Sequence, residues 1–201
     1  MPVEIRQIAA EQLPEYAAVP IRFTVDTILR VEAVGDGLGG LSLLEEKVDP
    51  PYLKDYDAQG SGEEGPESWP GQFDLSHWGL FLAVEGGQAV GGVAVAMDAP
   101  DVHVLERCSD LAVLWDIRVH PEERGRGIGT ALFRHAAGWA RAQGCHQLKI
   151  ETRNVNVRAC RFYAAQGCTL GSIHRYGYAG CLDVAHETML LWYLDLRRSN
   201  S

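Results

Sequence analysis

The sequence predicts a mixed α/β domain of the α+β kind, in which a mostly antiparallel sheet is flanked by a few helices. Two apolar runs flank the glycine pair Gly86-Gly87, and the apolar period changes from two to about 3.6 after Pro121. Strand patterns then resume after each helix. The chain has 201 residues, 46% apolar and 22% charged, which is enough for one substantial core and fits a single domain over residues 1–201. Its apolar runs are too short to cross a bilayer, so no membrane is expected.

Residues 3–8 read as an opening strand. Ile21, Phe23, Val25, Thr27 and Leu29 alternate as a half-buried strand does. Leu38-Gly39-Gly40-Leu41 reads as a turn. Across residues 50–71 the composition shifts to Pro, Gly, Ser, acids and aromatics; this stretch reads as a long loop, either a lid or an irregular insertion. Residues 80–84 and 89–97 form a hairpin around Glu85-Gly86-Gly87-Gln88. Residues 111–119 give a further strand, with Leu111, Val113, Trp115, Ile117 and Val119 on one face and Leu114, Asp116 and Arg118 on the other. Ile128, Leu132, Ala136 and Trp139 then recur at helical spacing until Gly144. Residues 147–151 are a strand, Asn156 caps a helix running to about residue 166, and Gly167 ends it. Residues 173–178 and 187–193 supply two last strands, joined through Asp183. There is no internal repeat.

Composition narrows the function. Eighteen Lys plus Arg against 27 Asp plus Glu give a net charge of −9, the wrong sign for a generic nucleic-acid binder and the right one for cationic substrates. Cys108, Cys145, Cys160, Cys168 and Cys181 form no CxxC pair, and their odd number reads as reduced thiols. The scattered histidines lack the paired spacing of a zinc site, so no metal is expected. The start, Met1-Pro2-Val3-Glu4-Ile5-Arg6, has neither the basic patch nor the apolar run of a secretory signal, so a cytoplasmic protein is expected.

The segment Arg124-Gly125-Arg126-Gly127-Ile128-Gly129-Thr130 stands between a strand and the first turn of a helix. Glycines let the backbone approach an anion, and helix-start N–H groups are unsatisfied donors aligned with the helix dipole, so a pyrophosphate is the expected ligand. A lone Gly-x-Gly is usually a plain turn with solvated arginines, but its place here favours anion binding. A P-loop needs Gly-Lys-Ser/Thr and a Rossmann fingerprint needs an early Gly-x-Gly-x-x-Gly; both are missing.

Arg124-x-x-Gly127-x-Gly129 resembles the Q/R-x-x-G-x-G/A coenzyme A signature of GNAT acetyltransferases, and Asn154-Val155-Asn156 followed by Ala159-Cys160-Arg161-Phe162-Tyr163 and Gly167 is similar to that family's second motif. Strings such as residues 110–119, Ile150-Glu151-Thr152 and Leu190-Leu191-Trp192-Tyr193 further resemble streptothricin acetyltransferases and their relatives. The resemblance implies a GNAT fold whose splayed sheet takes the pantetheine arm of acetyl-CoA like an extra strand. It implies cofactor contacts at Ile117, Val119, Arg124, Gly125, Arg126, Gly127, Gly129, Thr130 and Asn156, and a homodimer as a common assembly. The backbone near Val119 would hold the arm and polarise the thioester.

Asp116 reads in two ways: a carboxylate lining the acceptor pocket as base or ammonium clamp, or a strand carboxylate paired with Arg118 or exposed. Glu151 is a second candidate of the same kind for substrate binding. Family members with a glutamate two positions before Asp116 differ from this chain, which has Leu114 there. Asn156 caps its helix, and the resemblance adds a cofactor contact. Tyr163 is either a core aromatic or, by the resemblance, the acid that protonates the leaving thiolate. Trp78, Trp69, Tyr52 and Tyr56 read as an amine box or, more commonly for such positions, as core and loop anchors. Arg158 and Arg161 read as solvated helix residues, and His120 as shaping the turn.

The function expected from the resemblance is transfer of acetyl from acetyl-CoA to the amine of a small cationic molecule, including a streptothricin- or aminoglycoside-like antibiotic. A protein N-terminus or lysine is the rival acceptor, and a non-catalytic acyl-CoA sensor is the rival class.

Overall fold

The computed structural model describes residues 2–58, 65–100, 102–106 and 108–197. In chain order the elements are β1 (Glu4–Gln7), α1 (Leu13–Ala17), β2 (Phe23–Ala33), β3 (Leu41–Lys54), α2 (Trp69–Gln72), β4 (Gly79–Glu85), β5 (Gln88–Met97), β6 (Leu111–Val119), α3 (Ile128–Ala142), β7 (Gln147–Arg153), α4 (Val157–Ala165), β8 (Thr169–His174) and β9 (Met189–Asp195). The chain divides into two compact units, residues 1–23, 55–149 and 195–201 forming the first and residues 24–54 with 150–194 the second.

In the first unit β1, β4, β5 and β6 lie in that order, each pair antiparallel. The β4–β5 hairpin turns through Gly86 and Gly87, at φ +61° and +83°; two successive positive φ values are what a twist-matched two-residue turn demands, and glycine meets them without strain. Both faces of this sheet are covered. On one, α3 buries Ile128, Leu132 and Ala136, and Phe81 meets His135 edge-on at 4.6 Å. On the other, Leu80, Leu82, Ala94, Ala96, Leu111 and Val113 join Tyr16, Trp69 and Trp78 in one buried cluster. α3 stops at a Schellman motif: Gly144, φ +88°, donates to the Arg141 carbonyl and Cys145 to that of Ala140, both at 3.0 Å.

The face assignment in β6 needs correcting. Ala94 pairs with Asp116 and Val95 with Leu114, leaving Trp115 without a partner on β5. This bulge inserts one residue into a period of two and reverses the alternation beyond it. Asp116 and Arg118 therefore share the face of Leu111 and Val113. Gly92, opposite Arg118, leaves room for the Tyr16 ring, whose hydroxyl donates to Asp116 Oδ1 at 2.6 Å.

In the second unit β7, β9 and β8 follow in that order, and β2 with β3 make a separate two-stranded sheet. Asn154 ties them together: its N–H and side-chain amide bond the backbone of Thr188, and its carbonyl and Nδ2 bond that of Leu29, all at 2.8–3.0 Å. α4 ends as α3 does, Gly167 donating to the Ala164 carbonyl and Cys168 to that of Tyr163.

Three expectations shift. Residues 50–54 are strand, because β3 runs on through Pro50 and Pro51 to Lys54; β2 is its partner in a two-stranded sheet, where both of its edges tolerate proline. At the other end of the expected loop, Pro66–Ser68 and α2 form helical turns that bury Trp69, while residues 60–64 of the Gly/Ser/Glu run lie outside the described residues. The last two strands occupy Thr169–His174 and Met189–Asp195, because residues 175–180 turn instead of extending. α1, a five-residue helix with proline at its start, has no periodicity to announce it.

A methyl group on Gly92 would sit 2.4 Å from Tyr16 Cε2, against a ring with 0% exposure. Gly92→Ala is expected to cost about 1–3 kcal/mol, read as a lower urea midpoint at unchanged m-value. Alkali should act on the same ring. Burial first, then the Asp116 charge, raises the Tyr16 pKa well above 10.0, so the folded state keeps a proton that the unfolded chain gives up near pH ~10. Stability is therefore whole below that pH and falls as pH rises beyond it. Tyr16→Phe should flatten that slope in denaturation curves taken between about pH 9 and pH 11.

Candidate active site

β6 hands the chain to His120 and a 3₁₀ turn at Pro121–Glu123, after which residues 124–127 lead into α3. Gly125 and Gly127 hold φ at +82° and +85°, a region that costs most residues about 1–2 kcal/mol. Gly127 is the N-cap, with no side chain to cap the helix and no acid in the first turn. The first intrahelical bond runs from Ala131 N to Gly127 O at 3.0 Å. The N–H groups of Ile128, Gly129 and Thr130 precede it, and they face outward at the positive end of the helix dipole. A helix start of this kind, with free N–H groups behind positive-φ glycines, is suited to an anion.

Its two arginines are already engaged. Arg124 donates from Nε to the Val119 carbonyl at 3.1 Å and from a terminal nitrogen to the Arg22 carbonyl at 2.9 Å, so it pins the loop to the end of β6. Arg126 is half exposed and forks onto Glu85 at 2.8 and 3.0 Å, with Glu123 as a further partner. An incoming anion must compete with these carboxylates. Ile117 and Val119 sit on β6 opposite Val93 and Gly91.

Asp116 takes the paired form of its two readings. Both its oxygens accept from Arg118, at 2.9 and 2.8 Å, and Oδ1 also accepts from Tyr16. Arg118, 2% exposed in its side chain, reaches on to both oxygens of Asp57 at 3.0 and 3.1 Å and to the Val19 carbonyl at 3.1 Å. Sequence reasoning singled out neither Tyr16 nor Asp57. The one available signal was Arg118, two residues after Asp116 on the same strand.

In the second unit Asn156 caps α4, its Oδ1 accepting from Ala159 N at 3.1 Å. Tyr163 lies in the second turn of that helix, 5% exposed, with its ring edge-on to Phe162 at 5.4 Å. Glu151, partly exposed on β7, accepts from the Tyr178 hydroxyl at 2.6 Å. Burial first and then Glu151 push the Tyr178 pKa far up, so this hydroxyl stays a donor. Arg153 stacks over the Tyr178 ring, 4.8 Å from its centroid, and bonds Glu187 at 3.2 Å. Lys54 pairs with the same Glu187, and both are buried. Tyr178, Glu187 and Lys54 carried no pattern that sequence reading uses.

Other candidates resolve simply. Trp69 and Trp78 are core residues 5.9 Å apart, and Tyr56 packs edge-on against Phe23. Arg158 and Arg161 are exposed and paired with Asp26 and Glu45. Among the described residues no helix is long and apolar enough to cross a membrane.

The chain matches the model of the acetyltransferase (GNAT) family over residues 44–168. It is 32% identical over 170 residues to the streptothricin acetyltransferase of Streptomyces lavendulae, an alignment covering 84% of this chain and 82% of that one. The streptothricin acetyltransferase of Escherichia coli is 27% identical, with 92% of each chain covered. The crystal structure of a nourseothricin acetyltransferase superposes with a TM-score of 0.76 at 28% identity, covering 98% and 99% of the two chains. A Bacillus anthracis protein solved in complex with acetyl coenzyme A shares the fold, with a TM-score of 0.74 at 22% identity over 96% and 99%. A family match across well over half of the chain, joined to a relative of this identity and coverage, establishes that the protein belongs to the GNAT family of acetyltransferases.

Proposed function

We propose that this acetyltransferase moves the acetyl group of acetyl-CoA onto the amine of a small cationic molecule, with antibiotics of the streptothricin type as the leading acceptor class. The observation that carries the reading is the glycine turn at the start of α3, where Gly125 and Gly127 hold positive φ and three backbone N–H groups stand without intrahelical partners. Such an end binds the pyrophosphate of coenzyme A. Thr130 and Gly129 lie in the same first turn, and Arg126 exchanges carboxylate partners for phosphate. The backbone at Ile117 and Val119 receives the pantetheine arm, and Asn156, besides capping α4, contacts the cofactor. The names of the relatives support the acceptor class, as does the net charge of −9. The donor and the unpaired cysteines suit a reducing compartment, the cytoplasm.

The amine must be neutral to attack, and at pH 7 an amine of pKa ~10.4 is free in only one molecule in about 2,500. Asp116, with both oxygens held by Arg118, serves here as a positioning group for β6 and Tyr16 rather than as the proton acceptor. Attack of the neutral amine on the thioester carbon gives a tetrahedral intermediate whose nitrogen passes its extra proton to water, and collapse of the intermediate expels the coenzyme A thiolate, whose thiol resembles that of cysteine, pKa ~8.5. Tyr163 donates its phenolic proton to that sulfur as the C–S bond breaks and regains one from solvent.

The deciding assay measures thiol release from acetyl-CoA against a panel of cationic small amines, basic peptides and no acceptor. Release with the small amines supports the reading. Release with peptides alone moves the acceptor to protein, and none at all leaves an acyl-CoA sensor. Gly127→Asp places a carboxylate against the pyrophosphate, and aspartate tolerates the left-handed region better than most residues. Calorimetry should show acetyl-CoA affinity reduced ~10-fold or more in a folded protein. Tyr163→Phe keeps the ring and deletes the donor. Its kcat should fall roughly 10- to 100-fold, with acetyl-CoA affinity and melting temperature unchanged, because the lost interaction belongs to the transition state.

A further inference from the structure

We infer that the recess between β2 and the segment joining β8 to β9 is a binding site for a small organic carboxylate. All of its lining belongs to the second unit, whereas the glycine turn that opens α3 belongs to the first. The site therefore stands apart from the acetyl-transfer reading.

The recess has a volume of about 310 Å³, which suits a ligand at the small end of those that proteins enclose. Two of the side chains lining it are almost fully buried and have hydrogen-bond capacity to spare. Thr188 is 8% exposed; its backbone N–H and carbonyl bond Asn154, while its hydroxyl meets no partner among the described residues. Asn154 is 7% exposed. Its Oδ1 accepts from Thr188 N at 2.8 Å and its Nδ2 donates to the Leu29 carbonyl at 3.0 Å. An amide nitrogen carries two hydrogens, so one donor remains. Buried donors left unpaired are costly, and an acceptor in the recess removes that cost.

The surrounding charge makes that acceptor an anion. Arg30, Arg175 and His186 line the recess and no carboxylate does. Arg30 is engaged with Glu32 and Glu46. Arg175 has no carboxylate partner among the described residues; its guanidinium lies 5.7 Å from the centroid of the Tyr176 ring. In a chain of net charge −9, an arginine left without an acid receives an anion with little competition. His186 Nε2 lies 3.9 Å from Glu187, but that carboxylate is already held by Lys54 and Arg153.

The remaining lining sets the body of the ligand. Ile28, Val31 and the Tyr176 ring present apolar surface, and Tyr176 is 71% exposed, so a hydrocarbon body gains by covering it. A guanidinium fork matches the two oxygens of a carboxylate, and Thr188 and Asn154 add their donors. An inorganic anion satisfies the charge and leaves the apolar surface bare.

The test titrates the full chain, without acetyl-CoA, with benzoate, benzamide and inorganic phosphate, following backbone amide shifts by NMR. Benzoate should bind with a Kd of about 1 mM or lower, its shifts centred on residues 28–31, 154 and 175–188. Benzamide has the same body without the charge, and phosphate has charge without the body; each should bind at least ~10-fold more weakly. Arg175→Gln should weaken benzoate ~10- to 100-fold and Thr188→Val about 3- to 10-fold. Arg158→Gln, which removes the same charge from an exposed position on α4, should leave benzoate binding unchanged. Benzamide or phosphate binding as tightly as benzoate, an Arg175→Gln protein with undiminished affinity, or no benzoate binding at millimolar concentration would overturn the site. None of these outcomes bears on thiol release, which is measured separately.

Discussion

The first unit depends on a buried guanidinium. Arg118 sits under the sheet with its side chain 2% exposed, and a charge so placed is tolerable only if every donor is occupied. The chain supplies Asp116 from the same strand, Asp57 from the segment that enters the first unit, and the Val19 carbonyl from the end of the α1 region. Those partners come from three separate stretches, so a single side chain fixes how they meet. Removing one partner of such a set typically costs about 3–5 kcal/mol, because the other charge stays buried. The bulge at Trp115 makes the arrangement available: without its extra residue Asp116 and Arg118 would face α3, which offers an apolar surface.

What the sequence made legible follows from how local each signal was. The β4–β5 hairpin, α3 and α4 are each closed by glycines at positive φ, and Asn156 caps α4 as expected, so their boundaries could be read from residues a few positions apart. The glycine turn that opens α3 was legible for the same reason. β3 was not, because Glu45-Glu46-Lys47 and the Pro50-Pro51 pair erase the alternation in a strand that is exposed along most of its length. β8 was displaced because residues 173–178 have strand composition yet the last four of them turn.

The candidate site divides along the same line. Asp116 stood out as an acidic residue in mid-strand, but its partner Tyr16 lies 100 residues away, and Asp57, which shares Arg118 with it, lies 61 residues from that arginine. A bulge is a property of strand pairing and leaves no mark in a single strand. Glu151 could be named from sequence, whereas Tyr178, the group that orients it, comes from a turn read as strand.

The aromatic cluster on the Tyr16 face of the first unit also gives the protein an optical asymmetry. Trp69, Trp78 and Trp115 stand with ring centroids 5.4–5.9 Å apart in successive contacts, close enough for their excited states to couple. Trp139 packs near Phe81 in the same unit. Of the chain's five tryptophans, Trp192 alone belongs to the second unit, buried at 8% exposure. Indole emission and near-ultraviolet dichroism thus report chiefly on the first unit. In a Trp192→Phe protein the indole emission would come from that unit entirely, so its melting could be followed separately against a far-ultraviolet record of the whole.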